Sequence, residues 1–316
     1  MYFYLFNMPL ATLQVIPEIL EIKELNINEK MKESILKMPK GEKRLEICLE
    51  NEQRISAYKF KYNSSGRSVV GYLVEPKGLP STSGKLPCII INRGGTGHIS
   101  QWEDAHMFNN YVAQFAKSGY IVITTQYSGN DGSEGREEFG GMDVEDILNL
   151  KPILSSYPYA DSDNIGMIGG SRGGLMTYMI LSRVDWLKAA VIFAAPSNIE
   201  HMYTYRSDML EFHQTLYDTN SKEELAKRSP VLWADKISKT TPILLIHGVA
   251  DGVTRAEESI NMATLLYKQQ IPFEMHLFAG ATHFLHEVRE EFSDMYFKWF
   301  KRFLIEKAEI PNTTLR

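Results

Sequence analysis

Cysteine is almost missing: Cys48 and Cys88 are the only two in 316 residues. That excludes a disulfide framework as the source of stability. Cys88 lies inside the apolar run Pro87-Cys88-Ile89-Ile90-Ile91 and reads as a buried free thiol of a reducing compartment. No apolar stretch reaches about 18 residues, so no transmembrane helix is expected. The opening stretch Met1–Ile16 is apolar, but its basic start is missing, the first lysine being Lys23, and Pro9, Pro17 and Glu18 interrupt it. It does not read as a signal peptide, Met8 is a second candidate start, and the location expected is cytoplasmic. No basic block exists and the formal net charge is −5, which argues against nucleic acid as a partner. His-Glu-x-x-His is absent, and His201 and His213 have no third ligand at metal spacing. No metal and no cofactor is expected.

What is present is an ordinary globular composition, 44% hydrophobic and 23% charged, long enough to bury its own core. Residues 1–52 read as an N-terminal arm, with helical periodicity from Pro17 to Met38 and a break at Pro39-Lys40-Gly41. Ile55–Tyr62 and Ser68–Glu75 alternate about Asn63-Ser64-Ser65-Gly66, a hairpin signal. From Leu86 onward, Ile/Val-rich strand candidates (88–92, 120–126, 165–169, 189–195, 243–247, 273–278) alternate with helical patterns at 105–118, 144–155, 175–184, 255–269 and 288–308. This order predicts an α/β protein whose residues 53–316 form one domain: an antiparallel start, then a mostly parallel, doubly wound sheet of about eight strands with helices on both faces. The stripe Phe292, Tyr296, Trp299, Phe300 and Phe303 has helical spacing and should pack on the sheet. Residues 196–240 carry no strand signal and are expected as a helical insertion over the crevice at the strand ends. Asp161-Ser162-Asp163-Asn164-Ile165-Gly166 imitates a calcium loop, but Ile165 occupies a ligand position, and it reads as a turn before a strand.

The chemistry centres on Gly169-Gly170-Ser171-Arg172-Gly173, a Gly-x-Ser-x-Gly pattern between an apolar strand and a helix. A serine there is held in a strained conformation above the sheet edge, and the close approach of strand and helix leaves Gly169 and Gly173 no room for a Cβ. An alcohol is a poor nucleophile until a base takes its proton, and the base needs an orienting carboxylate. In Ser…Asp…His order, Asp251 and His283 follow, each in a loop after a strand candidate. His247, at the end of another strand, is the other histidine so placed. An oxyanion hole needs two donors. The Arg172 amide is the first, and the loop Arg93-Gly94-Gly95-Thr96-Gly97 supplies the second through Gly94 or Gly95. That loop has no Lys-Ser/Thr after it, which argues against a phosphate cradle.

These stretches resemble the catalytic domain of the prolyl oligopeptidase family of serine peptidases, across roughly residues 65–307. The resemblance is carried by Asn164–Gly174, by Arg228-Ser229-Pro230 with Ala234-Asp235-Lys236-Ile237, by Pro242–Asp251 and by Phe278–His283. Tyr127-Ser128-Gly129 followed by Asp143-Val144-Glu145-Asp146 adds to it. It implies an α/β-hydrolase fold with Ser171, Asp251 and His283 as the triad. About 60 residues precede the hydrolase region, so the family's β-propeller is not expected. Arg172 stands where an aromatic residue is common, and Arg93 where His or Tyr is usual. These two arginines either bind an acidic substrate group or pair with Asp or Glu beside the site. Arg93, Tyr127, Tyr203 and Arg206 are candidate substrate contacts, with packing as the alternative. The function expected is a serine hydrolase working through an acyl-enzyme. A peptidase on short peptides or aminoacyl substrates is what the resemblance implies. A carboxylesterase on small acyl esters is the alternative, and a non-catalytic binding protein on the same fold is the reading from another class. The partner expected is a small-molecule, short-peptide or acyl-ester substrate, with no nucleic acid and no membrane, and with self-association into a homo-oligomer left open.

Overall fold

The computed structural model describes residues 8–79, 84–97 and 100–314. The chain begins with α1 (Met8–Leu13), β1 (Ile19–Leu25), α2 (Glu29–Leu36) and α3 (Gly41–Glu52). The hairpin β2 (Ile55–Ser64) and β3 (Arg67–Pro76) follows, then β4 (Leu86–Asn92), α4 (Asn110–Lys117), β5 (Ile121–Thr125), α5 (Asp143–Leu148) and α6 (Leu150–Ser156). β6 (Ala160–Gly170) runs straight into α7 (Arg172–Leu181), and β7 (Leu187–Phe193) comes next. Three short helices, α8 (Ile199–Tyr203), α9 (Ser207–His213) and α10 (Lys222–Lys227), lie before β8 (Ile243–Gly248). The chain continues through α11 (Glu257–Lys268), β9 (Phe273–Phe278) and α12 (Arg289–Phe300). The strand order is β1-β2-β3-β5-β4-β6-β7-β8-β9. Residues gather into two compact units.

The first unit takes in the described residues of Met1–Ile90, Gly97–Arg136 and Glu145–Asp163. Here β1, β2, β3 and β5 pair antiparallel. The hairpin turns on Ser65 and Gly66, with φ of 50° and 84°. Two left-handed residues in a two-residue turn match the twist of the flanking strands, and Asn63 Oδ1 accepts the Gly66 amide at 2.9 Å. The core holds Phe60, Tyr62, Tyr72, Val74 and Phe115, all fully buried. Burying each such side chain contributes about 1.5–3 kcal/mol. α4 shows its local logic: Asn109 Oδ1 accepts from the Val112 amide, and Val112, Ala113, Phe115 and Ala116 make the buried face. Cys48 and Cys88 are both buried and unpaired.

The helix expected over Pro17–Met38 is instead β1 followed by α2. Ile19, Ile22 and Leu25 are spaced by threes, which imitates a helical face. A bulge between Ile19 and Glu21 shifts the pairing with β2, so the strand loses strict alternation and keeps only Ile19 and Leu25 buried. Asn28 then caps α2 through the Met31 amide at 3.0 Å. Among the described residues this edge strand is one of nine in the strand order, where the sequence predicts about eight. Asp161–Gly166 likewise belongs to β6 and is not a turn.

The second unit comprises Ile91–Thr96, Glu137–Val144 and Asn164–Arg316. β6, β7, β8 and β9 pair parallel. Along β7 and β8 nearly every residue is buried, as expected of strands covered on both faces. α7, α11 and α12 pack on these strands. The aromatic stripe faces inward as predicted: Phe292, Tyr296, Trp299, Phe300 and Phe303 are buried. α12 passes into a π turn at Lys301–Ile305, and Asn164 Nδ2 donates to the Leu304 carbonyl at 2.8 Å. Residues 196–240 are helical and lie between β7 and β8.

Candidate active site

Ser171 follows β6 directly, with φ 53° and ψ −128°. A non-glycine residue held there stores about 1–3 kcal/mol of strain. Its amide donates to the Phe193 carbonyl at 3.0 Å, while its carbonyl accepts from Gly174 at 2.9 Å and Leu175 at 3.2 Å. The turn is tight enough that a Cβ on Gly173 would come within 2.0 Å of the Asn92 carbonyl oxygen. On Gly169 it would come within 2.1 Å of the Gly173 carbonyl oxygen. The predicted reason for both glycines is therefore met. Arg172 opens α7, so its amide is among those a helix leaves without an intrahelical partner, and the helix dipole favours negative charge beside it. The glycine loop after β4 runs over this turn: a Cβ on Gly94 would sit 3.4 Å from the Ser171 Cβ.

Asp251 and His283 are joined. His283 Nδ1 lies 2.7 Å from Asp251 Oδ2, and both residues are buried. The other carboxylate oxygen, Oδ1, accepts the amides of Val253 at 2.8 Å and Thr254 at 2.9 Å. Burial pushes Asp251 up, but hydrogen bonds from His247, His283 and the Thr254 amide outweigh it and hold the carboxyl well below the usual range. An ionised carboxylate only accepts, so His283 carries its proton on Nδ1 and leaves Nε2 as the basic nitrogen. Ser171, Asp251 and His283 follow the carboxyl ends of β6, β8 and β9, parallel strands in order in the sheet. Backbone bonds stitch these ends together, from Ala194 to Ile246 at 3.0 Å and from Val249 to Phe278 at 2.9 Å.

For Arg172, of the two arginines, the structure shows pairing with acids. Arg172 is buried, with Glu137 on Nη1 and Asp143 on Nη2 at 2.6 Å. Nη1 also donates to the Gly95 carbonyl at 3.2 Å. Asp143 in turn accepts the amides of Gly140 and Gly141 at 2.9 and 2.8 Å. Arg93 is buried as well, and donates to the Gly94 carbonyl at 3.3 Å. Tyr127, in the first unit, is fully buried at a φ of 68°. The Tyr203 hydroxyl lies 2.8 Å from His213 Nδ1 and 2.6 Å from the Tyr217 hydroxyl. Burial, with Arg228, Arg172 and Arg206 around it, pushes His213 down to about 3, so that ring is neutral. Arg206 grips Asp208 with two nitrogens and donates to the Val253 carbonyl at 2.9 Å, tying the insertion to the Asp251 loop.

Two groups escaped sequence reasoning. Glu137 and Asp143 become the partners of Arg172, and Glu258 anchors the start of the insertion. Fully buried, Glu258 accepts the amides of Ser197 and Asn198, each at 2.8 Å, and meets His201 Nδ1 at 2.8 Å. Glu137 and Asp143 are plain in the sequence, but nothing around them names a partner so far along the chain.

The model of the prolyl oligopeptidase family matches residues 106–306, well over half of the chain. The chain belongs to that family. It is therefore a serine hydrolase of the peptidase class. The uncharacterized peptidase YtmA of Bacillus subtilis (strain 168) is 29% identical over 238 residues, 73% of this chain and 88% of that protein. Dipeptidyl-peptidase 5 of Porphyromonas gingivalis is 25% identical over 255 residues, 76% of this chain but 37% of that one. Among solved structures, the acylaminoacyl peptidase of Pyrococcus horikoshii superposes with a TM-score of 0.69 at 22% identity. It covers 84% of this chain and 44% of its own, and it shows the shared fold. Among the described residues, no helix is long and apolar enough to cross a membrane.

Proposed function

We propose that this member of the prolyl oligopeptidase family hydrolyses short peptide or aminoacyl substrates through an acyl-enzyme on Ser171. His283 Nε2 takes the Ser171 proton as the hydroxyl oxygen attacks the carbonyl, and the same proton then goes to the leaving amine. Water repeats the sequence on the acyl-enzyme, releasing the acid and restoring the serine. Asp251 holds the Nδ1–H tautomer and offsets the positive charge on the imidazolium. The Arg172 amide and an amide of Gly94 or Gly95 receive the oxyanion. The observation that carries this reading is the 2.7 Å bond between His283 and Asp251 in the loops after β9 and β8, together with Ser171 held at φ 53° directly after β6. A cytoplasmic location is part of the proposal and rests on the two unpaired cysteines.

The test is covalent labelling with a fluorophosphonate, followed by turnover of an aminoacyl-amide and of a short-chain acyl ester. Wild type is expected to label, and Ser171→Ala to lose the label. Ser171→Ala and His283→Ala should each lower kcat by about 10⁴-fold or more. Folded wild type that takes no label would overturn the reading, and turnover of the ester alone would move it to a carboxylesterase.

A further inference from the structure

Asp251 has a second imidazole against it. His247 lies near the end of β8, four residues before Asp251, and is completely buried. Its Nε2 is 2.8 Å from the Thr254 carbonyl and 3.2 Å from Asp251 Oδ2. A carbonyl has no proton to give, so Nε2 is the protonated nitrogen. Nδ1 lies 2.7 Å from the Ser259 hydroxyl, which donates into it in the neutral ring. The ring is thus pinned on one side by the loop that carries Asp251 and on the other by α11. It cannot turn without giving up a buried hydrogen bond at both ends.

We propose that His247 is a positioning residue of the triad. Its Nε2–H, donated to the Thr254 carbonyl, presents its positive edge to Asp251 Oδ2 3.2 Å away, and this limits the carboxylate's rotation. The amides of Val253 and Thr254 hold only Oδ1. The other oxygen, the one His283 uses, would otherwise have the histidine as its sole constraint. With His247 Nε2 on one side of Oδ2, the other side of that oxygen faces His283 Nδ1. The assignment rests on the proposed triad. It differs from simple filling of the core because it depends on an N–H at one point in space.

The experiment compares His247→Leu, which removes the N–H, with His247→Gln, whose amide can carry an N–H to the same point. Steady-state kinetics of the unlabelled enzyme, its active sites counted by fluorophosphonate titration of a separate sample, are read with the downfield proton resonance of His283 Nδ1–H. His247→Leu is expected to lower kcat by about 10- to 100-fold with KM within about twofold, and to broaden or remove the resonance. His247→Gln should recover most of kcat and the resonance. Ser259→Ala, which keeps the N–H but frees the far side of the ring, should lose about 3- to 10-fold in kcat. Folded His247→Leu with unchanged kcat overturns the assignment, as do equal losses in the Leu and Gln variants. If His247→Leu does not fold, Ser259→Ala at wild-type kcat overturns it instead. Wild type that takes no fluorophosphonate label marks failure of the proposed function and not of the positioning role.

Discussion

Ser171 sits at a backbone angle that favours glycine, and the strain belongs to the position and not to the hydroxyl. Two substitutions separate these. Ser171→Ala should abolish activity and leave stability within about 0.5 kcal/mol of wild type, because alanine keeps the Cβ. Ser171→Gly should also be inactive but about 1 kcal/mol more stable in urea unfolding: relief of strain outweighs the extra freedom of the unfolded chain. Equal stability of the two variants would mean the turn is not strained. Asp251 allows a sharper contrast. Asp251→Asn keeps the shape but offers an N–H where His283 needs an acceptor, so the imidazole is driven to the wrong tautomer. A fall in kcat of about 10³- to 10⁴-fold, with KM little changed, is the expected result. The serine, the aspartate and the histidine were readable in order along the chain. That Arg172 turns from substrate toward Glu137 and Asp143 was not, because a guanidinium's partner is chosen by what folding brings near it.

At the scale of elements, the start of α7 is held from several sides. Gly173 lets the helix approach the Asn92 carbonyl, and Gly173→Ala should cost roughly 3 kcal/mol or more, or prevent folding, since backbone cannot give way as a side chain can. Urea unfolding with labelling of the soluble fraction reads this directly. The Arg172 side chain links α7 to the Gly95 carbonyl and to the acids of residues 137–143. Arg172→Met should destabilise by about 3–5 kcal/mol, because two buried carboxylates lose their cation. The variant with Glu137→Gln and Asp143→Asn added should recover part of that loss. No recovery would mean that packing, not charge, is what the arginine supplies. The same scale explains the misread N-terminal segment. Apolar spacing by threes in Ile19, Ile22 and Leu25 fits a helix locally, whereas the unpaired edge of β2 offers backbone hydrogen bonds that decide for a strand.

For the whole molecule, two buried carboxyls act on stability with opposite sign. Burial, against hydrogen bonds from Tyr157 and Tyr58, pushes Glu75 up to about 7 from an ordinary 4.5. Between those values the folded chain keeps a proton that the unfolded chain has released, so stability falls as pH rises across the window, by up to about 3 kcal/mol. Glu75→Gln should remove this slope, matching wild type near pH 4.5 and exceeding it by about 2–3 kcal/mol at pH 8 in urea unfolding. Asp251 behaves the other way: its stabilising share is present above the ordinary carboxylate range and is lost as pH falls below it. By itself the sequence determined the alternation of strands and helices, the Gly-x-Ser-x-Gly turn and the chain order of the serine, the aspartate and the histidine. Those follow from local periodicity, backbone freedom and short spacing. Only the tertiary structure decided which side chains meet: His247 on Asp251, Arg172 on its two acids, Glu258 on the insertion, and β1 on β2. Each of those contacts joins elements apart in the fold or depends on how a loop turns back on its own strand, and a partner of that kind is selected by packing geometry that no run of neighbouring residues encodes.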